Sequence, residues 1–134
     1  MYKGGNMQTQ KQRIGAWGEE IATRFLIQKG YHVVSRNFRT PMGELDLVGW
    51  HEKKLFGRTL CFVEVKTRGS HKESGARATN RYEKMRAFER AAKAFCLAYQ
   101  IDMDKTPIQF EHMTIMGSPG RATARVQHLI IPMQ

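Results

Sequence analysis

Cysteine is nearly absent from this chain of 134 residues: Cys61 and Cys96 are its only two, both among apolar neighbours. Neither belongs to a CxxC or a Cys/His ligand pattern, so buried, reduced thiols are expected rather than a disulfide framework or a zinc site. Long apolar runs are missing as well. No stretch approaches the roughly 18 apolar residues that a membrane span needs, so no membrane partner is expected. The opening, MYKGGNMQTQKQR, is polar, with neither the apolar centre of a secretory signal nor the Arg/Ser amphipathicity of a transit peptide. A soluble, cytoplasmic protein is expected. Acid is scarce: 12 Asp and Glu stand against 22 Lys and Arg, for a net charge of +10. Such a balance suits a polyanion.

Several familiar chemistries lack their signatures too. The five histidines, His32, His51, His71, His112 and His128, show no HxH or HExxH spacing, and lone histidines are more often ordinary surface or core residues than ligands. Ser70 and Ser74 lie near His71, but no nucleophile elbow or orienting acid accompanies them, which argues against a serine-type hydrolase. The segment from Gly69 to Gly75 does not follow GxxxxGK[ST], so P-loop nucleotide binding is unsupported.

What is present is enough for one domain with a real core. Residues 1–10 are expected to be a flexible tail and 11–134 a single α/β domain. From Ile14 to Gln28 the stripe Ile14, Trp17, Ile21, Phe25 has helical spacing, and Gly30 stands where a left-handed cap closes a helix. Three strands are expected next: Tyr31 to Phe38, Glu44 to Trp50 and Thr59 to Arg68, with a turn at Thr40 to Gly43 and a polar connection from His51 to Arg58. A loop from Gly69 to Ala78, a helix from Asn80 to Gln100, and strands from Pro107 to Met116 and Val126 to Ile131 complete the order α-β-β-β-α-β-β. A mixed sheet flanked by helices follows.

Two of these strands carry charge where apolar alternation would be ordinary. In FVEVKTR, alternation sends Val63, Val65 and Thr67 one way and Phe62, Glu64, Lys66 and Arg68 the other. In GELDLV, it puts Glu44, Asp46, Val48 and Trp50 on one face and Leu45 and Leu47 on the other. Carboxylates gathered on neighbouring strands raise each other's proton affinity and call for a cation. Lys66 supplies part of that charge, and Mg²⁺ or Mn²⁺ on Asp46 and Glu64 would supply the rest. On the first helix Glu19 lies along the edge of Gly15, Ala22 and Leu26, while Glu20 points more to solvent; Glu19 is the better fourth acid. Between Lys66 and Lys93 nine basic residues stand against Glu73, Glu83 and Glu89, and Arg68, Lys72, Arg77, Arg81 and Lys84 are the expected phosphate contacts. Trp17 is expected in the core, and Trp50 as an exposed ring able to stack on a base.

At these residues the chain resembles the YraN-like family within the PD-(D/E)xK nuclease superfamily. The likeness is carried by GEE..A...L...GY from Gly18 to Tyr31, RN.R from Arg36 to Arg39, GELDLV from Gly43 to Val48, FVEVKTR from Phe62 to Arg68, and Lys84 leading A...A on the second helix. Near the C-terminus Gln109-Phe110-Glu111-His112-Met113 stands where that family usually has an RFDVV-type strand. The resemblance implies a restriction-endonuclease-like fold similar to Holliday-junction resolvases. It also implies Asp46, Glu64 and Lys66 at the metal-nuclease positions, Glu19 as the helix acid, and Glu44 as a motif residue of auxiliary role. A metal-dependent endonuclease acting on DNA, branched DNA included, is therefore expected, with a homodimer suited to a two-fold junction. The alternatives are a non-catalytic nucleic-acid-binding module of the same fold and a basic protein-interaction domain.

Overall fold

The structure, a computed structural model, describes residues 8–69, 81–120 and 123–132, without the side chains at 81 and 82. Of the expected tail, residues 1–7 lie outside the described residues, as do residues 70–78 of the expected loop and residues 79 and 80 after it. The first helix, α1, spans Gln10–Gln28 and starts ahead of its apolar stripe. The reason is local: the Gln12 N–H donates to Thr9 Oγ1 at 3.0 Å and the Thr9 N–H to Gln12 Oε1 at 2.9 Å, a complete capping box. At the other end the Gly30 N–H donates to the Ile27 carbonyl and the Tyr31 N–H to that of Leu26. With Gly30 at φ +96, this is a Schellman closure, and Tyr31 packs in the same cluster as Leu26.

The strands are β1 (His32–Thr40), β2 (Gly43–Lys53), β3 (Gly57–Arg68), β4 (Ile108–Met116) and β5 (Arg125–Ile131), with the second helix α2 (Arg81–Ala98) between β3 and β4. They form one five-stranded sheet in the order β1-β2-β3-β4-β5. Only β3 and β4 run parallel, and α2 is the crossover that a parallel pair requires. The mixed sheet flanked by helices, in the order α-β-β-β-α-β-β, is the architecture expected from the sequence. One connection is much shorter than its polar composition suggested. β2 and β3 pair out to Lys53↔Gly57, so the segment expected as a connection from His51 to Arg58 shrinks to Lys54, Leu55 and Phe56.

Each face of the sheet has its own core. Under α2 lie Leu45, Val48, Leu60, Phe62 and Phe110 against Phe88, Ala92 and Phe95. Under α1 lie Leu47, Cys61, Val63, Met113 and Ile115 against Ala22, Leu26 and Tyr31. Strand β3 is buried on both faces from Leu60 to Val63, as a central strand with helices on either side must be. Cys61 and Cys96 are free and sit in opposite cores, and burial raises both thiol pKa values. They are inert packing residues.

The alternation expected for β2 fails at one place. Leu45 and Leu47, two residues apart, belong to opposite cores, and Val48 and Trp50 pack with Leu45 rather than against it. The break coincides with Asn37 of β1 in left-handed backbone at φ 56, between the pairs Arg36↔Leu47 and Phe38↔Leu45. Asn tolerates that conformation better than most side chains. The residue held at the break on β2 is Asp46.

Candidate functional site

Strands β2 and β3 are hydrogen-bonded from Lys53↔Gly57 to Leu47↔Val63 and part beyond that point. Asp46 stands at the split, and its Oδ2 accepts a 2.8 Å hydrogen bond from the Val65 backbone N–H. A side chain thereby replaces a ladder contact. Burial raises the Asp46 carboxyl to about 6; the Val65 bond opposes the shift, and the charges of Glu19, Glu64 and Glu44 add to it. Three further acids, from α1, β2 and β3, therefore act on Asp46 at this point.

Glu19 arrives because α1 lies directly on β3. A Cβ at Gly18 would collide with Thr67 Oγ1, so only glycine permits this approach. Burial raises the Glu19 pKa, against a hydrogen bond from the Asn37 side chain, with Glu44 raising it further and Arg36 lowering it. Its neighbour Glu20 instead meets Arg24 at 3.1 Å and Arg36 at 3.3 Å. Glu44, exposed at the start of β2, lies 3.8 Å from Arg39.

On β3, Val63 and Val65 face α1 with Thr67, so Glu64 and Lys66 face the α2 side. Lys66 Nζ is 3.7 Å from Glu64 Oε2, an ion pair too long for a hydrogen bond. The residue that sequence reasoning missed is His112. The parallel register sets it opposite Glu64, with Nε2 at 3.9 Å from Glu64 Oε1. Burial lowers the His112 pKa, Glu64 works against that shift, and Lys66, Arg68 and Lys84 reinforce it. Arg68 and Lys84, far apart in sequence, thus both lie within electrostatic reach of His112. Of the other expected phosphate contacts, Lys72 and Arg77 lie outside the described residues, and Arg81 opens α2 with its side chain undescribed. Trp50 is partly buried against the α2-side core with the Arg58 guanidinium 4.0 Å above its ring, so that face is already occupied.

Among the described residues no three His, Cys, Asp or Glu side chains gather closely enough to enclose a metal ion. The donor chemistry still fits a hard divalent cation. Asp46 is a partly buried carboxylate whose proton affinity is raised by burial and by three other acids, and Mg²⁺ typically takes only one or two protein carboxylates, with water and phosphate completing its shell.

The uncharacterised protein family UPF0102, the YraN-like group, matches residues 18–115, a span that holds α1 from Gly18 onward, the split strands and β4. The chain belongs to this family. A UPF0102 protein of Desulfosudis oleivorans is 41% identical over 86 residues, covering 64% of this chain and 66% of its own length. The UPF0102 protein of Alkaliphilus oremlandii is 32% identical over 100 residues, 75% of this chain and 81% of its own. That of Caldicellulosiruptor bescii is 34% identical over 104 residues, 78% and 82% respectively. The match spans just under two thirds of the Desulfosudis relative and of one from Chlorobium phaeobacteroides, at 66% and 64% of their lengths. Among the described residues of this UPF0102 chain no helix is long and apolar enough to cross a membrane.

Proposed function

We propose that this UPF0102 protein is a cytoplasmic, metal-dependent endonuclease of the PD-(D/E)xK type that hydrolyses phosphodiesters in DNA, with branched DNA as its preferred class. One observation carries the reading: Asp46 sits in the gap between β2 and β3, partly buried, with its carboxyl raised to about 6 in the company of Glu19, Glu64 and Glu44. A purely structural sheet gains nothing from four acids at a strand split.

Asp46 and Glu64 would hold Mg²⁺ or Mn²⁺, with Glu19 as a further oxygen donor and Glu44 beside it. When bound, such an ion supplies Lewis-acid stabilisation of phosphate charge and a more acidic water. The protein's own groups do the rest. Lys66 orients the attacking water and places positive charge against the oxygens of the phosphorane. Arg68 and Lys84, both within electrostatic reach of His112, hold the flanking phosphates, together with Lys72, Arg77 and Arg81 from the adjoining segment. Two copies paired about a two-fold axis would suit a four-way junction.

A second reading keeps the phosphate grip and omits cleavage. It is favoured by the Asp46 carboxylate already bonded to Val65 and by the lack of a closed three-donor cluster among the described residues. Incubating the protein with labelled duplex, single-stranded, flap and four-way-junction DNA, with Mg²⁺, Mn²⁺ or chelator, separates the two. Cation-dependent cleavage abolished by Asp46→Ala and by Lys66→Ala supports the enzyme; tight binding without cleavage of any substrate supports the binding module. Absence of salt-sensitive nucleic-acid binding would leave only a protein-interaction role.

A further inference from the structure

A cleft that the proposed chemistry does not use opens beside the first turns of α1. Its volume is about 400 Å³, and Gln10, Arg13, Ile14, Trp17, Ser118 and Pro119 line it. This is the size of a small-molecule subsite. It lies at the same end of the sheet as Lys66: β4 pairs with β3 as far as Arg68↔Met116, and the Gly117 N–H donates to the Arg68 carbonyl at 3.1 Å.

The lining combines three recognition elements. The first is an aromatic ring, Trp17, which packs one side against the α1-side core as expected but is only partly buried, with its Cη2 edge against Gly117. Gly117 has φ +133, so no side chain intrudes there without strain. The second is a cation. Arg13 is exposed, bonds weakly to the Gln8 carbonyl at 3.3 Å and to Gln10 Oε1 at 3.4 Å, and pairs with no carboxylate among the described residues. The third is a pair of small polar groups, the Gln10 amide and the Ser118 hydroxyl. A planar ring with hydrogen-bonding edges and an attached phosphate uses all three; an apolar peptide would leave Arg13 and Gln10 unused.

The cleft also lies a short way along α1 from Glu19. Trp17 directly precedes Gly18, which rests on Thr67, and Glu19, which acts on Asp46. Arg13 precedes Glu19 by six residues, about 9 Å of helical rise, a short step for a strand whose phosphodiester lies at the split. We propose that this cleft takes an unpaired nucleobase of the bound nucleic acid, stacked on Trp17 with a neighbouring phosphate on Arg13. The inference rests on the nucleic-acid reading above and adds that the substrate has a single-stranded part.

The chain has two tryptophans, so Trp50→Phe leaves Trp17 as the only reporter. Titrating this variant with single-stranded oligothymidylate at low salt, without divalent ions, is expected to quench its emission, whereas blunt duplex of equal length leaves it nearly unchanged. Trp17→Leu should weaken single-strand binding about tenfold, as loss of one base–aromatic stack does. Arg13→Gln should lower the log–log salt slope by about 0.7, one phosphate on a single strand. Single-strand binding with silent Trp17 emission, or with native affinity in both Trp17→Leu and Arg13→Gln, would overturn the subsite and leave the nuclease reading intact. Emission that responds to deletion of residues 1–7 but not to oligonucleotide gives the cleft to that segment instead. Failure of every oligonucleotide to bind any form would remove the nucleic-acid reading, and the subsite with it.

Discussion

The Asp46 carboxylate accepts the Val65 backbone N–H at 2.8 Å at the point where β2 and β3 cease to pair. This single contact holds the strands apart by a side chain's width and keeps a carboxyl group in partly buried surroundings. Both effects are measurable.

The buried charge of Asp46 should cost stability. Its folded pKa, about 6, lies above the 3.8 of an unperturbed aspartate, so well below pH 4 the group is protonated in both states and contributes nothing. As pH rises from 4 to 6 the unfolded chain releases its proton first, and above 6 the full cost applies, on the order of 3 kcal/mol. Asp46→Asn keeps an acceptor for Val65 and removes the charge. Urea unfolding should find it more stable than the native chain at pH 8, with the gap closing towards pH 4. An Asn variant less stable at pH 8 would refute the assignment.

Glu111 behaves in the opposite sense. It is fully buried, and burial alone would raise its pKa. Hydrogen bonds from His128 at 2.8 Å and Gln109 at 2.7 Å, the Lys53 charge at 3.3 Å and the Tyr31 hydroxyl outweigh that and bring it down to about 2. Its folded pKa is depressed, so its contribution is complete above pH 4.5 and is lost as pH falls towards 2, a loss of about 3 kcal/mol. Glu111→Gln should destabilise the protein by roughly 2–4 kcal/mol at pH 7. It should also flatten the acid limb of the stability curve, measured by denaturant titration from pH 7 to 3.

The seat of α1 on β3 depends on Gly18. Gly18→Ala places a methyl group against Thr67 Oγ1 and should cost about 1–3 kcal/mol through overpacking. Thr67→Ala removes Oγ1 and Cγ2 and leaves only Cβ close by, so the double variant should recover part of the loss. A double-mutant cycle of thermal unfolding checks this, and strict additivity would place the helix elsewhere.

Phosphate contact should appear in the salt dependence. On duplex DNA each phosphate neutralised contributes about −0.9 to the log–log slope. Arg68→Ala and Lys84→Ala should each reduce the native slope by roughly that amount, without altering preference among sequences. Lys93→Ala, an exposed lysine further along α2, should change it less. Equal effects at all three positions would argue for diffuse attraction instead of a defined path.

Much of this arrangement was legible before folding. Local signals suffice for α1, whose Schellman closure follows from Gly30, and for the strands that carry GELD and FVEVKTR. The position of Asp46 was less so, because strict alternation would have placed Leu45 and Leu47 together. They part at the level of Asn37, a residue of another strand that takes a left-handed conformation. His112 could not be set beside Glu64 by spacing, since their register depends on how far α2 carries the chain before β4 begins. Glu111 was equally hidden: Tyr31, Lys53 and His128, which bind it, are brought in by separate elements.

The decisive measurement is the single-turnover cleavage rate of a labelled four-way junction in Mn²⁺, compared among the native chain, Asp46→Asn and Lys66→Met. Cleavage by the native protein that stops on chelation is predicted, with a fall of at least about a hundredfold in both variants while each still binds the junction. Cleavage that persists unchanged in Asp46→Asn, or native protein that binds the junction and never cuts it, would contradict the nuclease reading.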